Sequence, residues 1–228
     1  MITLPQLRDN LISVLSRISS ARERSPNAAS QVRLVAVTKY VEAAVLPLLK
    51  EAGVELIGEN RVQAALAKRQ ELNGNAGLEW HFIGRLQSNK INKVLDLFQM
   101  IHSVDSLKLA AGISQRSLST PMPVLFEVNL SGEESKSGFS ADELRASFPD
   151  LLKLPGIQPR GLMTMAPFSD NPEDARPVFA GLRQLRDELR LAHGAENFTE
   201  LSMGMSGDFE VAVEEGATLV RIGSALYA

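Results

Sequence analysis

One apolar run that ends in a lysine decides the fold class of this chain: Val32-Arg33-Leu34-Val35-Ala36-Val37-Thr38-Lys39. The uninterrupted apolar residues from 34 to 37 are typical of a strand buried on both faces of a parallel sheet. Parallel strands hold the chemistry of α/β folds at their carboxyl ends, which is where Lys39 stands. If the strand partly desolvates this amine, the neutral form is favoured and can form a Schiff base with an aldehyde. On its own, Lys39 is more commonly a solvated lysine at a strand end.

The composition of the chain excludes several classes of protein. With 228 residues, 44% of them hydrophobic, the chain is long enough to bury a sizeable core. The net charge of −3 does not indicate binding to nucleic acid or to a membrane surface. The absence of cysteine excludes disulfides and thiolate chemistry. No targeting segment and no apolar run of transmembrane length is present, so a cytoplasmic protein is expected.

Apolar strands alternate with helical stretches from residue 31 onward. The predicted strands are Leu34–Thr38, Glu55–Gly58, His81–Gly84, Met100–Val104, Val124–Asn129, Gly161–Met165, Glu200–Met203 and Leu219–Gly223. Eight strands that are each followed by a helix or a helical turn predict a (β/α)8 barrel of the TIM type over residues 31–228, and the length is near the typical value of about 250 residues. A doubly wound open sheet is the alternative, because periodicity does not reveal closure.

An extra amphipathic helix precedes the strands. Its apolar residues recur at steps of three and four, at Leu4, Leu7, Leu11, Leu15 and Ile18. The polar stretch 21–30 contains a proline and is predicted to be a loop. No linker rich in Gly, Pro or Ser divides the chain, so residues 1–228 are predicted to be a single domain in which residues 1–30 precede the barrel.

Two loops at the predicted rim have the composition of a phosphate site. Barrels often bind phosphate with the loops after strands seven and eight and a helix N-terminus. Strand seven leads into the sequence MGMSGD at 203–208, where Ser206 can cap the following helix and Gly207 allows close approach of the backbone. Strand eight leads into Gly223 and the hydroxyl of Ser224. Capping and turning alone would also explain these residues, and the aspartate that ends the first loop argues against an anion.

The remaining residues that could carry chemistry are an arginine, three histidines and four methionines. Arg221 lies between apolar neighbours in strand eight and needs a partner, either a strand-end carboxylate such as Glu127 or an acceptor on a ligand. His81 and His102 lie in apolar strands and are predicted to be satisfied core histidines, whereas His193 precedes a glycine and is predicted to end a helix. No pair of residues has the spacing of metal ligands, so a zinc site is not expected. Four methionines near strand ends, at 163, 165, 203 and 205, are interpreted as core filler.

Five blocks in order along the chain carry a family resemblance: Ala36-Val37-Thr38-Lys39, Gly58-Glu59-Asn60, His81-Phe82-Ile83-Gly84-Arg85-Leu86-Gln87-Ser88-Asn89-Lys90, Leu201-Ser202-Met203-Gly204-Met205-Ser206 and Arg221-Ile222-Gly223-Ser224. The third block is the most specific of them. Together the blocks resemble the pyridoxal phosphate homeostasis protein family over essentially the whole chain.

The resemblance implies a fold-type III barrel similar to the N-terminal domain of alanine racemase, with pyridoxal 5′-phosphate (PLP) as cofactor. It implies the following roles: a Schiff base to PLP on Lys39, phosphate contacts from Ser206, Gly207, Gly223 and Ser224, Arg221 facing the pyridine nitrogen, and Asn60 lining the cofactor. It also implies that Lys136 is a second, looser lysine for PLP. The chain departs from the family pattern at Tyr40, where a Lys-Thr-Lys string is usual, and at Gly207, where aspartate is common.

The resemblance implies a PLP carrier rather than an enzyme. An arginine cannot accept a proton, so it leaves the ring nitrogen neutral and weakens carbanion chemistry. The few residues after strand eight cannot form the second domain of a racemase. We expect a monomer of intracellular PLP homeostasis that buffers PLP or delivers it to apo-PLP enzymes. The alternatives are a weak PLP-dependent racemase or decarboxylase, and a Schiff-base aldolase that acts on a sugar phosphate.

Overall fold

Eight parallel strands close into a ring in the computed structural model, which describes residues 2–131 and 137–228. The strands follow one another around the ring in chain order, and β1 pairs with β8 to close it. Their bounds are β1 Arg33–Val37, β2 Leu56–Glu59, β3 Glu79–Phe82, β4 Met100–Val104, β5 Met122–Glu127, β6 Ile157–Met163, β7 Glu200–Ser202 and β8 Leu219–Ile222. The predicted barrel is confirmed, and the alternative of an open doubly wound sheet is wrong.

Helices surround the barrel. The α-helices are α1 Leu4–Arg24, α2 Val45–Ala52, α3 Val62–Glu71, α4 Ile91–Leu97, α5 Leu107–Ser114, α6 Ala141–Leu152, α7 Arg176–His193, α8 Phe209–Glu214 and α9 Ser224–Tyr227. Short 3-10 turns precede α4 and α7, at Ser88–Lys90 and Pro172–Ala175. No helix in the described part of the chain is long and apolar enough to cross a membrane.

The strand predictions are correct in number; the bounds of β4 are predicted at both ends, and those of the other strands differ by a few residues. The largest difference is at β6, which begins at Ile157 rather than at Gly161. Its first half reads Ile157-Gln158-Pro159-Arg160, and three of these residues are only half-buried, so the apolar pattern does not show that the strand has begun. The strand is nevertheless paired with β5 from its first residue.

The N-terminal helix is longer than its apolar pattern predicts. It begins with a capping box, in which Thr3 accepts from the Gln6 N–H and Gln6 accepts from the Thr3 N–H. It continues to Arg24, so the prediction that the loop begins at residue 21 is wrong. Ala21 is buried in this last turn, and that packing keeps a polar segment helical.

α1 ties the start of the chain to the segment after β8. Arg17 forms an ion pair with Glu210 of α8 at 2.7 Å. Asn10 Nδ2 donates to the carbonyl oxygens of Leu226 and Ala228, at 3.0 and 3.1 Å. The helix therefore supports α8 and α9, the two short helices that follow β7 and β8.

The barrel has an apolar exterior and a largely polar interior. The larger hydrophobic cluster lies between the strands and the helices and includes the fully buried rings of Trp80, Phe126 and Phe148. A separate cluster has only six residues, which alternate along the strands with those of the outer core: Val35, Leu56, Met100, Leu125, Met163 and Leu219. The remaining inward positions on β3, β4, β7 and β8 include polar residues, and these lead to the site described next.

Candidate functional site

A cavity of about 610 Å³ lies at the carboxyl ends of β1, β6, β7 and β8. Ring closure creates it, because the pairing of β1 with β8 places Val35 beside Arg221 and Ala36 beside Ile222. Among the residues that line it are Lys39, Ser206, Gly207, Arg221, Gly223 and Ser224. Asn60 follows β2 and is not among the described residues that line this cavity, and Lys136 lies outside the described residues.

Lys39 is the primary amine of this cavity. It stands two residues beyond β1, where the N–H of the buried Thr38 still donates to the Gly58 carbonyl at 3.0 Å. The Lys39 side chain is exposed, and its Nζ lies 5.0 Å from the centroid of the exposed Tyr40 ring. The side chain is therefore accessible at the cavity wall, and the partial desolvation of this amine stays a prediction.

A buried ion pair lies directly behind Lys39. Nζ of Lys68, on α3, donates to the Thr38 carbonyl at 2.6 Å and pairs with Oε1 of Glu59, whose side chain is fully buried. Thr38 Oγ1 donates to the same carboxylate oxygen at 2.7 Å. This arrangement fixes the backbone from which Lys39 projects. Sequence reasoning missed Lys68, although its place three residues after Ala65 and six after Val62 puts it on the buried face of α3.

Two buried polar atoms near this pair have no hydrogen-bond partner among the described residues. They are Oε2 of Glu59 and the hydroxyl of Tyr227, and Tyr227 lines the cavity. Burial, together with the Glu59 carboxylate, raises the pKa of Tyr227. An unpaired phenol on the wall of a cavity can serve a polar group of a ligand.

The loops after β7 and β8 are joined by the hydroxyl of Ser206. Its Oγ accepts from the N–H groups of Gly223 and Ala225, at 3.2 and 3.3 Å. Two backbone N–H groups that converge on one oxygen form the kind of concavity that binds anions. The prediction that Ser206 caps the following helix is wrong, because a turn intervenes and α8 begins only at Phe209.

Asp208 does not occupy this concavity. Its Oδ1 accepts from the Met205 N–H at 2.6 Å, within its own turn. Burial raises the pKa of Asp208, against the opposing effects of the hydrogen bond from Met205 and of the Arg221 charge. The carboxylate that argued against an anion in the sequence is thus engaged by its own loop.

Arg221 is the buried cation of the cavity, with 4% of its surface exposed. It donates from Nη1 to Ser202 Oγ at 2.6 Å and from Nη2 to the Thr164 carbonyl at 2.9 Å. No carboxylate of the described residues forms an ion pair with it, so a strand-end partner such as Glu127 is not found. Burial lowers the pKa of Arg221 to about 10, against the opposing fields of Asp208 and Glu127.

The histidines and methionines divide as follows. His81 and His102 are fully buried and hydrogen-bonded, and His193 ends α7 before the left-handed Gly194, as predicted. The described residues contain no group of three or more side chains that could hold a metal ion.

Met163 and Met203 are core residues, but Met165 and Met205 are exposed, and Met205 lines the cavity. The interpretation of all four methionines as core filler is therefore wrong for the last two.

Comparison with known proteins matches nearly the whole chain. A family model described as the alanine racemase N-terminal domain matches residues 10–228. The pyridoxal phosphate homeostasis protein of Aquifex aeolicus is 44% identical over 221 residues, which are 96% of this chain and 96% of that protein. The corresponding protein of Pseudomonas aeruginosa is 40% identical over 223 residues, which are 97% and 94% of the two chains.

Solved structures have the same barrel. PipY of Synechococcus elongatus, solved with PLP bound, is 37% identical with a TM-score of 0.85, over 97% of this chain and all of that chain. The alanine racemase of Clostridium difficile has a TM-score of 0.74 at 19% identity, over 96% of this chain and 56% of that chain. The second likeness shows the fold alone.

The buried ion pair gives a prediction about stability. Lys68→Ala leaves the fully buried Glu59 carboxylate without its cation, and we expect the free energy of unfolding to fall by about 3 to 5 kcal/mol. Urea unfolding followed by circular dichroism measures this change. Lys93→Ala, which removes an exposed lysine from α4, is the matched control and should change stability by less than about 0.5 kcal/mol. Equal effects of the two variants would contradict the role of the pair.

Proposed function

The chain belongs to the pyridoxal phosphate homeostasis protein family, and on that premise we propose that it binds PLP and serves intracellular PLP homeostasis by holding the cofactor and releasing it. One observation carries the proposal. A primary amine, the Ser206 hydroxyl that accepts from the Gly223 N–H, and a buried guanidinium all border a single cavity. These groups match the aldehyde, the phosphate and the pyridine nitrogen of PLP.

The roles of the individual residues follow from this match. PLP, when bound, supplies an aldehyde that condenses with a primary amine and a ring that withdraws electrons. We assign the covalent bond to Lys39, whose exposed amine is accessible from the cavity mouth. Ser206, Gly207, Gly223 and Ser224 would hold the phosphate with hydroxyls and backbone N–H groups, and Gly207 can contribute only its backbone.

Arg221 would face the ring nitrogen. Two of the five donors that an arginine carries are engaged by Ser202 and Thr164, which leaves further N–H groups for a ligand acceptor. A guanidinium donates a hydrogen bond without transferring its proton, so the ring nitrogen stays unprotonated and the ring withdraws electrons weakly. This supports a carrier with no robust catalytic activity.

Exposure of the amine supports release as well as capture. A cavity that opens to solvent beside Lys39 lets a second amine, on an acceptor protein, reach the aldehyde. We therefore propose apo-PLP enzymes as recipients, and a single-domain, monomeric, cytoplasmic carrier as the form that serves them. The homologues carry the name of homeostasis proteins and not of enzymes, which is compatible with this role.

Lys39→Ala tests the covalent bond. Wild-type protein incubated with PLP and reduced with borohydride should carry a pyridoxyl group on Lys39, read by peptide mass spectrometry, and should show a visible absorbance band. The variant should lose both, because Lys39 is the one lysine of the described residues that lines the cavity. Lys50→Ala, on the exposed face of α2, is the control and should retain both. Persistent colour in a Lys39→Ala and Lys136→Ala double variant would contradict the assignment.

Ser206→Ala tests the phosphate site. The Ser206 hydroxyl is expected to contact the phosphate, so the preference for PLP over pyridoxal should fall by about ten-fold. Equilibrium titrations with the two aldehydes measure this ratio. Ser169→Ala removes another hydroxyl of the cavity wall, one that donates to Asp174 at 2.6 Å, and should leave the ratio unchanged. An unchanged ratio in both variants would contradict the assignment of the phosphate site to these loops.

Deuterium exchange tests the absence of catalysis. Holo-protein incubated with L-alanine in D2O should incorporate deuterium at Cα no faster than free PLP does, because Arg221 leaves the ring a weak electron sink. Mass spectrometry of the amino acid measures the exchange. Exchange far above that of free PLP would favour the alternative of a weak racemase.

A further inference from the structure

A continuous chain of hydrogen bonds crosses the barrel interior from Arg221 to Glu79. Arg221 Nη1 contacts Ser202 Oγ at 2.6 Å, and Ser202 Oγ contacts His102 Nδ1 at 2.9 Å. His102 Nε2 lies 2.9 Å from His81 Nδ1, and His81 Nε2 lies 2.8 Å from Glu79 Oε1. These five residues are here called the barrel chain.

The barrel chain connects the cavity to the opposite end of the barrel. Arg221 lies near the carboxyl end of β8, and Glu79 is the first residue of β3. Ser202, His102 and His81 are fully buried between them, whereas the Glu79 side chain is 43% exposed. The link from β4 to β7 spans the interior, since these strands are not neighbours in the ring.

The two ends of the barrel chain determine its direction. A guanidinium can only donate, so Ser202 Oγ accepts from Arg221. The hydrogen bond from His81 lowers the pKa of Glu79, which keeps the carboxylate an acceptor, so His81 donates from Nε2. With a single proton on its ring, His81 accepts at Nδ1 from His102 Nε2–H, and His102 accepts at Nδ1 from the Ser202 hydroxyl.

The reverse order would require another buried charge. If His81 donated from Nδ1 to His102, it would carry N–H groups on both nitrogens, because Glu79 still needs a donor. His102 cannot relieve His81 of that proton, because burial, the charge that a doubly protonated His81 would carry, and the charges of Arg221 and Arg33 lower the pKa of His102 well below the ordinary value. Arg33, which pairs with Glu200 at 3.1 Å, is the other charge that acts on both Glu79 and His102.

We propose that Ser202, His102 and His81 are positioning residues for Arg221. Their hydrogen-bond donors all point toward Glu79, and this order holds the Arg221 guanidinium so that its remaining N–H groups face the pyridine nitrogen of PLP. The identity of that ligand rests on the proposed function; the order of the hydrogen bonds does not. Each link polarises the next in a medium of low dielectric constant, so the Glu79 carboxylate supports a buried cation that it does not touch.

The order of the hydrogen bonds can be read without PLP. The sequence contains only three histidines, so a nitrogen-15 spectrum of histidine-labelled apo-protein resolves each ring, with His193→Gln to assign the signal of the helix end. We expect protons on Nε2 of both His81 and His102, and a His102 that stays neutral across the pH range in which the protein is folded. A proton on Nδ1 of His102, or its titration near the ordinary pKa, would overturn the proposal.

Substitution of Ser202 tests the effect on the cofactor. Ser202→Ala should move the His102 signals and weaken PLP binding by about ten-fold, whereas Ser202→Thr, which keeps a hydroxyl, should restore both. Ser114→Ala is the matched control: this buried serine on α5 accepts from the Gly156 N–H at 2.9 Å and has no link to the barrel chain. PLP binding that falls equally in the Ser202→Ala and Ser114→Ala variants would identify a structural effect and overturn the proposal.

Glu79→Gln provides a variant that keeps its fold, because Glu79 is partly exposed at the far end of the barrel. It should shift the pH midpoint of the absorbance band of bound PLP, although Glu79 does not line the cavity. An unchanged midpoint would contradict the coupling between Glu79 and Arg221.

The proposed function and the barrel chain can fail separately. Wild-type protein that binds no PLP would refute the proposed function and leave the nitrogen-15 result standing, whereas PLP binding with a reversed proton order would refute the barrel chain alone.

Discussion

Closure of the parallel sheet by β1 and β8 is the constraint on which the site depends. Once these strands pair, every strand of the ring has two neighbours, and all carboxyl ends meet at one rim. The amine of Lys39 and the guanidinium of Arg221 are far apart in sequence but become parts of one cavity wall. The loops after β7 and β8 are then held together by the hydroxyl of Ser206. An open sheet would leave β1 and β8 on separate edges and these groups unconnected.

Buried cations inside the barrel have two different kinds of partner. Lys68 and Glu59 form a buried ion pair that stabilises the backbone behind Lys39. Arg221 instead binds neutral acceptors, and the carboxylates of Asp208 and Glu127 act on it through their fields without forming an ion pair with it. A guanidinium without an adjacent carboxylate keeps N–H groups for a ligand, whereas a direct ion pair would occupy them. Apolar packing outside the ring supplies the stability that such a polar interior lacks.

The barrel fold is shared with enzymes, and the difference in function lies in the site. The likeness to an alanine racemase covers about half of that protein and shows the fold alone. In this chain the amine is exposed at the mouth of the cavity, and an arginine and not an acid stands where the ring nitrogen is proposed to lie. Both features suit a protein that takes up a reactive aldehyde and gives it away again.

The sequence by itself determined the fold class, the number of strands and six of the residues that border the cavity, because apolar periodicity and glycine-rich loops are local signals and the family blocks are contiguous. It misplaced the start of β6, where half-buried residues hide the pattern, and the end of α1, where exposed charged residues follow the buried Ala21. Only the tertiary structure revealed Lys68 behind Lys39, the hydroxyl of Ser206 bridging two loops, and the exposure of the Lys39 amine. His102 and Ser202 are 100 residues apart, and the sequence predicts only that His102 is a satisfied core histidine. Their contact exists because the ring brings β4 and β7 to face each other across its interior, and no local pattern encodes which side chains meet there.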